Sequence, residues 1–92
     1  MNIDGLAVVV TGAGHGIGRA LVLELAARGN DVVAADIDGD AAAAVADEAR
    51  RAGVQALGHA VDVGDGASVE ALADAAWQAI GPVRVLFNNA GV

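Results

Sequence analysis

The stretch "VVVTGAGHGIGRAL", residues 8–21, decides the fold. An apolar run stops at Thr11, glycines occupy positions 12, 14, 16 and 18, and apolar residues then resume at helical spacing. Leu6 to Thr11 reads as a strand buried on both faces, because it is continuously apolar and rich in valine. Ile17 to Arg28 reads as a helix, with Ile17, Leu21 and Leu25 forming one apolar stripe. An ordinary turn between strand and helix needs one glycine, not four. The first N–H groups of a helix lack intrahelical partners and carry a partial positive charge of about half a unit. Glycines let the backbone turn sharply and let an anion approach it with no Cβ in the way. The stretch therefore reads as a phosphate-holding loop.

Outward from the loop, strands and helices alternate. Gly29 stands where a helix C-cap glycine belongs. Asp31 to Ile37 is a second strand, and Asp38 caps a helix through Arg51, with Arg50 and Arg51 at its negative dipole end. Val54 to Val63 is a third strand, weakened by Gly58. Asp65 caps a helix through Ile80, where Val69, Leu72, Ala76 and Ile80 share one face, and Gly81–Pro82 stops it. Val83 to Asn88 is the fourth strand. The pattern β-α-β-α-β-α-β implies an α/β fold: one parallel sheet between two helical layers, joined by right-handed crossovers, with residues 1–92 reading as a single domain.

Composition narrows the partners. The 92 residues carry a net charge of −7, and the cations are Arg19, Arg28, Arg50, Arg51 and Arg84, with no lysine. Nucleic acid is a poor fit, because phosphate-backbone binding needs a basic footprint. A bound anion must instead be held by backbone N–H groups. With no cysteine there are neither disulfides nor thiolate metal sites. No apolar run approaches the ~20 residues of a membrane span, and the N-terminus lacks the basic region of a signal peptide. A cytoplasmic protein is expected. At 55% hydrophobic content the chain is too apolar for disorder.

Spacing separates the kinds of phosphate loop. A P-loop ends in Lys-Ser or Lys-Thr, absent here. The pattern G-x-G-x-x-G fails from Gly12, where its last position falls on Ile17, and from Gly14, where it falls on Arg19. What remains is T-G-x-x-x-G-x-G, with Thr11, Gly12, Gly16 and Gly18. In this "TGAGHGIG" the chain resembles the N-terminal part of the short-chain dehydrogenase/reductase family. Three further stretches carry the resemblance at strand ends: Asp36, "DV" at Asp62–Val63, and "NNAG" at Asn88 to Gly91. All lie at the carboxyl ends of successive strands, where ligands of doubly wound sheets bind.

The resemblance implies a Rossmann-like sheet of order 3-2-1-4, with residues 1–92 as one dinucleotide-binding domain, in an oxidoreductase that moves hydride between a nicotinamide dinucleotide and an alcohol or carbonyl substrate. Gly12, Gly14, His15, Gly16, Ile17 and Gly18 would hold the pyrophosphate. Asp36 lies 18 residues after Gly18, near the ~20 expected of a ribose-binding acid. Its carboxylate accepts hydrogen bonds from ribose hydroxyls and repels a 2′-phosphate. Ile37 stands where an enzyme using NADP would place a base, and a largely neutral His15 is a weak substitute for one. NAD is thus expected over NADP. By resemblance, Asp62 and Val63 hold the adenine, Asn88 braces the fourth strand, and Ala90 and Gly91 let the backbone pass close to the nicotinamide ribose.

Other polar residues read as structural. His59 has no partner at ligand spacing, so no metal site is expected; Trp77 reads as core rim; Asp38, Asp40, Asp47 and Glu48 read as caps and a solvated helix face. The family's proton-transferring tyrosine and its lysine are missing, since the sequence has neither. Its only serine, Ser68, is expected at a helix start on the far side. No catalytic residue is therefore assigned. The chain reads as the cofactor-binding part of a longer or truncated enzyme, with a non-catalytic nucleotide-binding module or an inactive remnant as the alternatives. The open edge of the fourth strand implies that these residues are marginally folded or self-associate through it.

Overall fold

The computed structural model describes residues 5–89. In chain order the elements are β1 (Ala7–Thr11), α1 (Gly16–Ala27), β2 (Asp31–Asp36), α2 (Gly39–Arg50), β3 (Ala56–Ala60), α3 (Gly66–Ile80) and β4 (Val85–Asn88). All strand pairs are parallel and the order is β3-β2-β1-β4, as the sequence predicts. Val9 aligns with Val33 on one side and with Leu86 on the other. The chain runs outward from β1 to β3 and then crosses back to β4. The point of reversal lies between β1 and β4, at the carboxyl ends of the strands.

Strand alternation sorts the core into two faces. Val8, Val10, Val32 and Ala34 pack against Val22, Leu25 and Ala26 of α1 and Val45 and Ala49 of α2. Val9, Val33 and Ala35 point the other way, onto Val61 and onto Leu72 and Ala76 of α3. Both faces of β1 and β2 are thus covered, which is why these strands are continuously apolar. Each fully buried valine contributes about 1.5–3 kcal/mol. Asp38 and Asp65 cap α2 and α3, accepting from Ala41 N at 3.1 Å and Ala67 N at 3.0 Å. No helix among the described residues is long and apolar enough to cross a membrane.

Several expectations need correction. The buried face of α1 is Gly18, Val22, Leu25 and Ala26, and Ile17 is 79% exposed. Gly18 fits tightly against the Gly12 carbonyl, and that contact turns Ile17 outward. On α3, Leu72 and Ala76 are buried but Val69 is exposed. Val69, Trp77, Val83 and Leu86 instead rim an apolar groove beside β4, and Trp77 is well exposed there. β1, α3 and β4 end where expected, but β2, α1 and α2 each stop one residue early and β3 stops short of both Val54 and Val63. Gly58 is no weak point in β3. A Cβ there would lie 2.5 Å from Ala43 Cα, so glycine lets α2 pack directly on the strand.

Candidate functional site

The four loop glycines have two different reasons to be glycine. Gly12 and Gly16 have φ of 63° and 55°, a region costly to residues with a Cβ. Gly14 and Gly18 have ordinary φ but no room. A Cβ on Gly14 would lie 2.8 Å from Ala41 Cβ, and one on Gly18 would lie 2.0 Å from Gly12 O. Half of the glycines are therefore demanded by the chain's own packing, which the reading of the loop as a turn for an anion did not anticipate. Nothing lies within 4 Å of where a Gly16 Cβ would stand, so the start of α1 opens outward. The first hydrogen bond of α1 runs from Arg19 N to His15 O, and the N–H groups of Gly16, Ile17 and Gly18 precede it. His15 occupies the N-cap without a side-chain capping bond, and its exposed Nε2 lies 3.6 Å from Asp38 Oδ2.

Asp36 ends β2 with only 9% of its surface exposed. Its Oδ2 accepts from Gly14 N and its Oδ1 from Asp38 N, each at 2.9 Å. Ile37 follows, well exposed. On the next strand end, Asp62 Oδ1 accepts from Gly64 N at 3.0 Å, and Asp62 N donates to Ser68 Oγ at 2.9 Å. Ser68 thus sits on the site's edge of the sheet, not the far side, because α3 begins where β3 ends. Asn88 Oδ1 accepts from Thr11 Oγ1 at 3.0 Å, while Asn89 donates from N to Thr11 Oγ1 and from Nδ2 to Gly12 O. These bonds tie the end of β4 to the start of the glycine loop. Ala90 and Gly91 lie outside the described residues.

These strand ends surround a cleft of about 350 Å³ lined by Gly12, Asp36, Ile37, Val61, Asp62, Val63 and Asn89. The sequence reading assigned all of these except Val61 and Asn89. Val61 directly precedes the "DV" pair, and Asn89 lies within "NNAG", so both signals were adjacent. Gly14, His15, Gly16, Ile17, Gly18 and Asn88 do not line the cleft. Asp36 and Asp62 can accept hydrogen bonds from hydroxyl or amino groups, and Ile37, Val61 and Val63 offer apolar surface to a flat ring. The start of α1 offers backbone N–H groups to an anion. Among the described residues no group of three or more His, Cys, Asp or Glu could hold a metal ion. His59 stands on the edge strand with Nδ1 2.6 Å from Ala60 O.

A family model described as short chain dehydrogenase matches residues 6–92. The 7alpha-hydroxysteroid dehydrogenase of Escherichia coli strain K12 is 41% identical over 91 residues, covering 99% of this chain and 36% of that protein. The 1-deoxy-11-beta-hydroxypentalenate dehydrogenase of Streptomyces exfoliatus is 45% identical over 92 residues, covering 100% of this chain and 34% of that protein. The chain thus spans about a third of the length of these relatives. Among solved structures, a short chain dehydrogenase/reductase from Burkholderia phymatum in complex with NAD superposes with a TM-score of 0.92 and 49% identity, covering 100% of this chain and 33% of that one.

Proposed function

Because the chain belongs to the short-chain dehydrogenase family, we propose that its cleft and glycine loop hold a nicotinamide dinucleotide, NAD in preference to NADP. The site is then the cofactor portion of an oxidoreductase acting on an alcohol or carbonyl substrate. The observation that carries this reading is the Asp36 carboxylate. It is held by two backbone N–H groups on the wall of the cleft, one of them from the glycine loop itself. The residues fit the group. The cleft falls within the ~300–1,000 Å³ of small-molecule sites, and the open space at Gly16 leaves the N-terminus of α1 approachable.

The role of each residue follows from its chemistry. Asp36 accepts hydrogen bonds from the adenosine ribose hydroxyls. Asp62 accepts from the adenine amino group, with Ile37 and Val63 flanking the ring. The N–H groups of Gly16, Ile17 and Gly18 receive the pyrophosphate, which needs no lysine there. Asn88 and Asn89 brace the loop through Thr11 and Gly12. When bound, the dinucleotide supplies hydride transfer at its nicotinamide. These 92 residues contain no tyrosine and no lysine, and proton transfer at the substrate is assigned to none of them.

The cofactor preference is an electrostatic argument. Two unit charges about 4 Å apart repel by about 4 kcal/mol at an effective dielectric of ~20. A 2′-phosphate beside Asp36 therefore binds poorly, and Ile37 offers it no compensating cation. Calorimetric titration is expected to give a Kd for NAD at least about tenfold below that for NADP. A chain that bound NADP more tightly would contradict the reading of Asp36, and one that bound neither would contradict the nucleotide site.

A further inference from the structure

Asp36 makes contacts that reading a ribose does not require. Both of its oxygens already accept backbone N–H groups, one from the middle of the glycine loop and one from the first residue before α2. We infer that Asp36 is the positioning residue of the glycine loop. Its carboxylate fixes the backbone between Gly12 and Gly16, so the group that reads the ribose also shapes the surface that receives the pyrophosphate. The inference rests on the nucleotide reading given above.

The surroundings of Gly14 show how the loop is held. Gly14 is buried at the midpoint between the two loop glycines of positive φ. One neighbour is Ala41 in the first turn of α2, 2.8 Å from where a Gly14 Cβ would stand; the other is the Asp36 carboxyl group, at 3.1 Å. Ala13 N donates to Ala35 O at 2.9 Å, so the residue before Gly14 is already pinned to β2. The turn after β2 is fixed in its own right, since Asp38 caps α2 through Ala41 N. Asp36 thus joins the β1–α1 loop to the β2–α2 turn through two short backbone hydrogen bonds, whereas the other side-chain contact between them, His15 Nε2 to Asp38 Oδ2, is exposed and 3.6 Å long. A carboxylate suits this position because it presents two acceptor oxygens and no donor. An asparagine has one acceptor oxygen, and its NH₂ would face the second N–H group. Hydrogen bonds to an ionised acceptor are also about twice as strong as neutral ones.

The test separates the two roles by removing the hydroxyls that Asp36 would read. ADP and 2′,3′-dideoxy-ADP are titrated into the chain and into its Asp36→Asn variant, and the Gly14 amide is followed by ¹⁵N NMR. A carboxylate that served the ribose alone would leave dideoxy-ADP affinity unchanged in the variant, or raise it by removing a negative charge near the phosphates. The positioning role predicts about tenfold weaker binding of both nucleotides. It also predicts an upfield shift and faster hydrogen exchange at Gly14, with amides of the β1 and β2 core in place. Loss of ADP affinity alone, with dideoxy-ADP unaffected, overturns the inference and leaves the nucleotide site standing. Wild-type chain that binds neither nucleotide overturns the nucleotide site. The Gly14 amide then decides the loop's dependence on Asp36, and an unmoved amide refutes it.

Discussion

Gly18→Ala is expected to destabilise the chain by about 3 kcal/mol, the upper part of the usual range for overpacking. The added Cβ would stand 2.0 Å from Gly12 O, 2.8 Å from Gly12 C and 2.8 Å from Asn89 Nδ2. The first two are backbone atoms, so no rotamer change relieves the clash; α1 must move away from the loop. That movement also pulls the helix N-terminus from the end of β1, and NAD binding should fall with stability. At about 4–8 °C per kcal/mol for a domain of this size, the thermal midpoint drops by roughly 12–24 °C. Gly16→Ala is the comparison. It meets nothing within 4 Å and suffers only the strain of its φ of 55°, about 1–2 kcal/mol. Urea denaturation of both variants checks the order. A Gly18→Ala chain as stable as Gly16→Ala would mean that the close approach of α1 to the loop is wrong.

Asn30→Ala carries the second large effect, about 2–3 kcal/mol in the same measurement. Asn30 is fully buried directly before β2. Its Oδ1 accepts from Leu6 N and its Nδ2 donates to Leu25 O, each at 2.9 Å. One amide therefore ties the end of α1 to the entry of β1. Alanine removes the acceptor for Leu6 N–H and leaves a void among Leu25 and its neighbours. Losing the acceptor of a shielded N–H group costs about 1–3 kcal/mol, to which the void adds. Asn30→Asp keeps the acceptor but turns the donor to Leu25 O into a second acceptor, so it should not rescue. A cost below about 0.5 kcal/mol for Asn30→Ala would show that water replaces the amide.

The strands that carry the site were legible because a strand buried on both faces is a continuous apolar run, and Val8 to Val10 and Val32 to Ala35 are such runs. The parallel sheet covered on both faces followed from alternation with helices, and its order from the family resemblance. Asp36 and the Asp62–Val63 pair were legible by position at strand ends. What hydrophobicity could not show was the rotation of α1. Ile17 is the more apolar residue, yet Gly18 faces the sheet because only a residue without a Cβ fits against Gly12. Gly58 misled for the same reason: a glycine that weakens an isolated strand is required where a helix backbone lies on it. Asn30 gave no signal, since an asparagine after Gly29 reads as a turn residue until its two long-range partners are seen. Asn89 was legible only as part of "NNAG", with no role of its own until its bonds to Thr11 and Gly12 were visible.

The central claim is that one cleft at the carboxyl edge of the sheet, together with the start of α1, holds a dinucleotide. Its most direct test is an NMR titration of the ¹⁵N-labelled chain with NAD. Saturable shifts are expected at the amides of Gly12, Gly16, Ile17, Gly18, Ile37, Asp62 and Val63, with the opposite edge around Ala7 and Asp31 unmoved. A spectrum unchanged by millimolar NAD, or shifts confined to the apolar groove around Trp77 and Leu86, would contradict it.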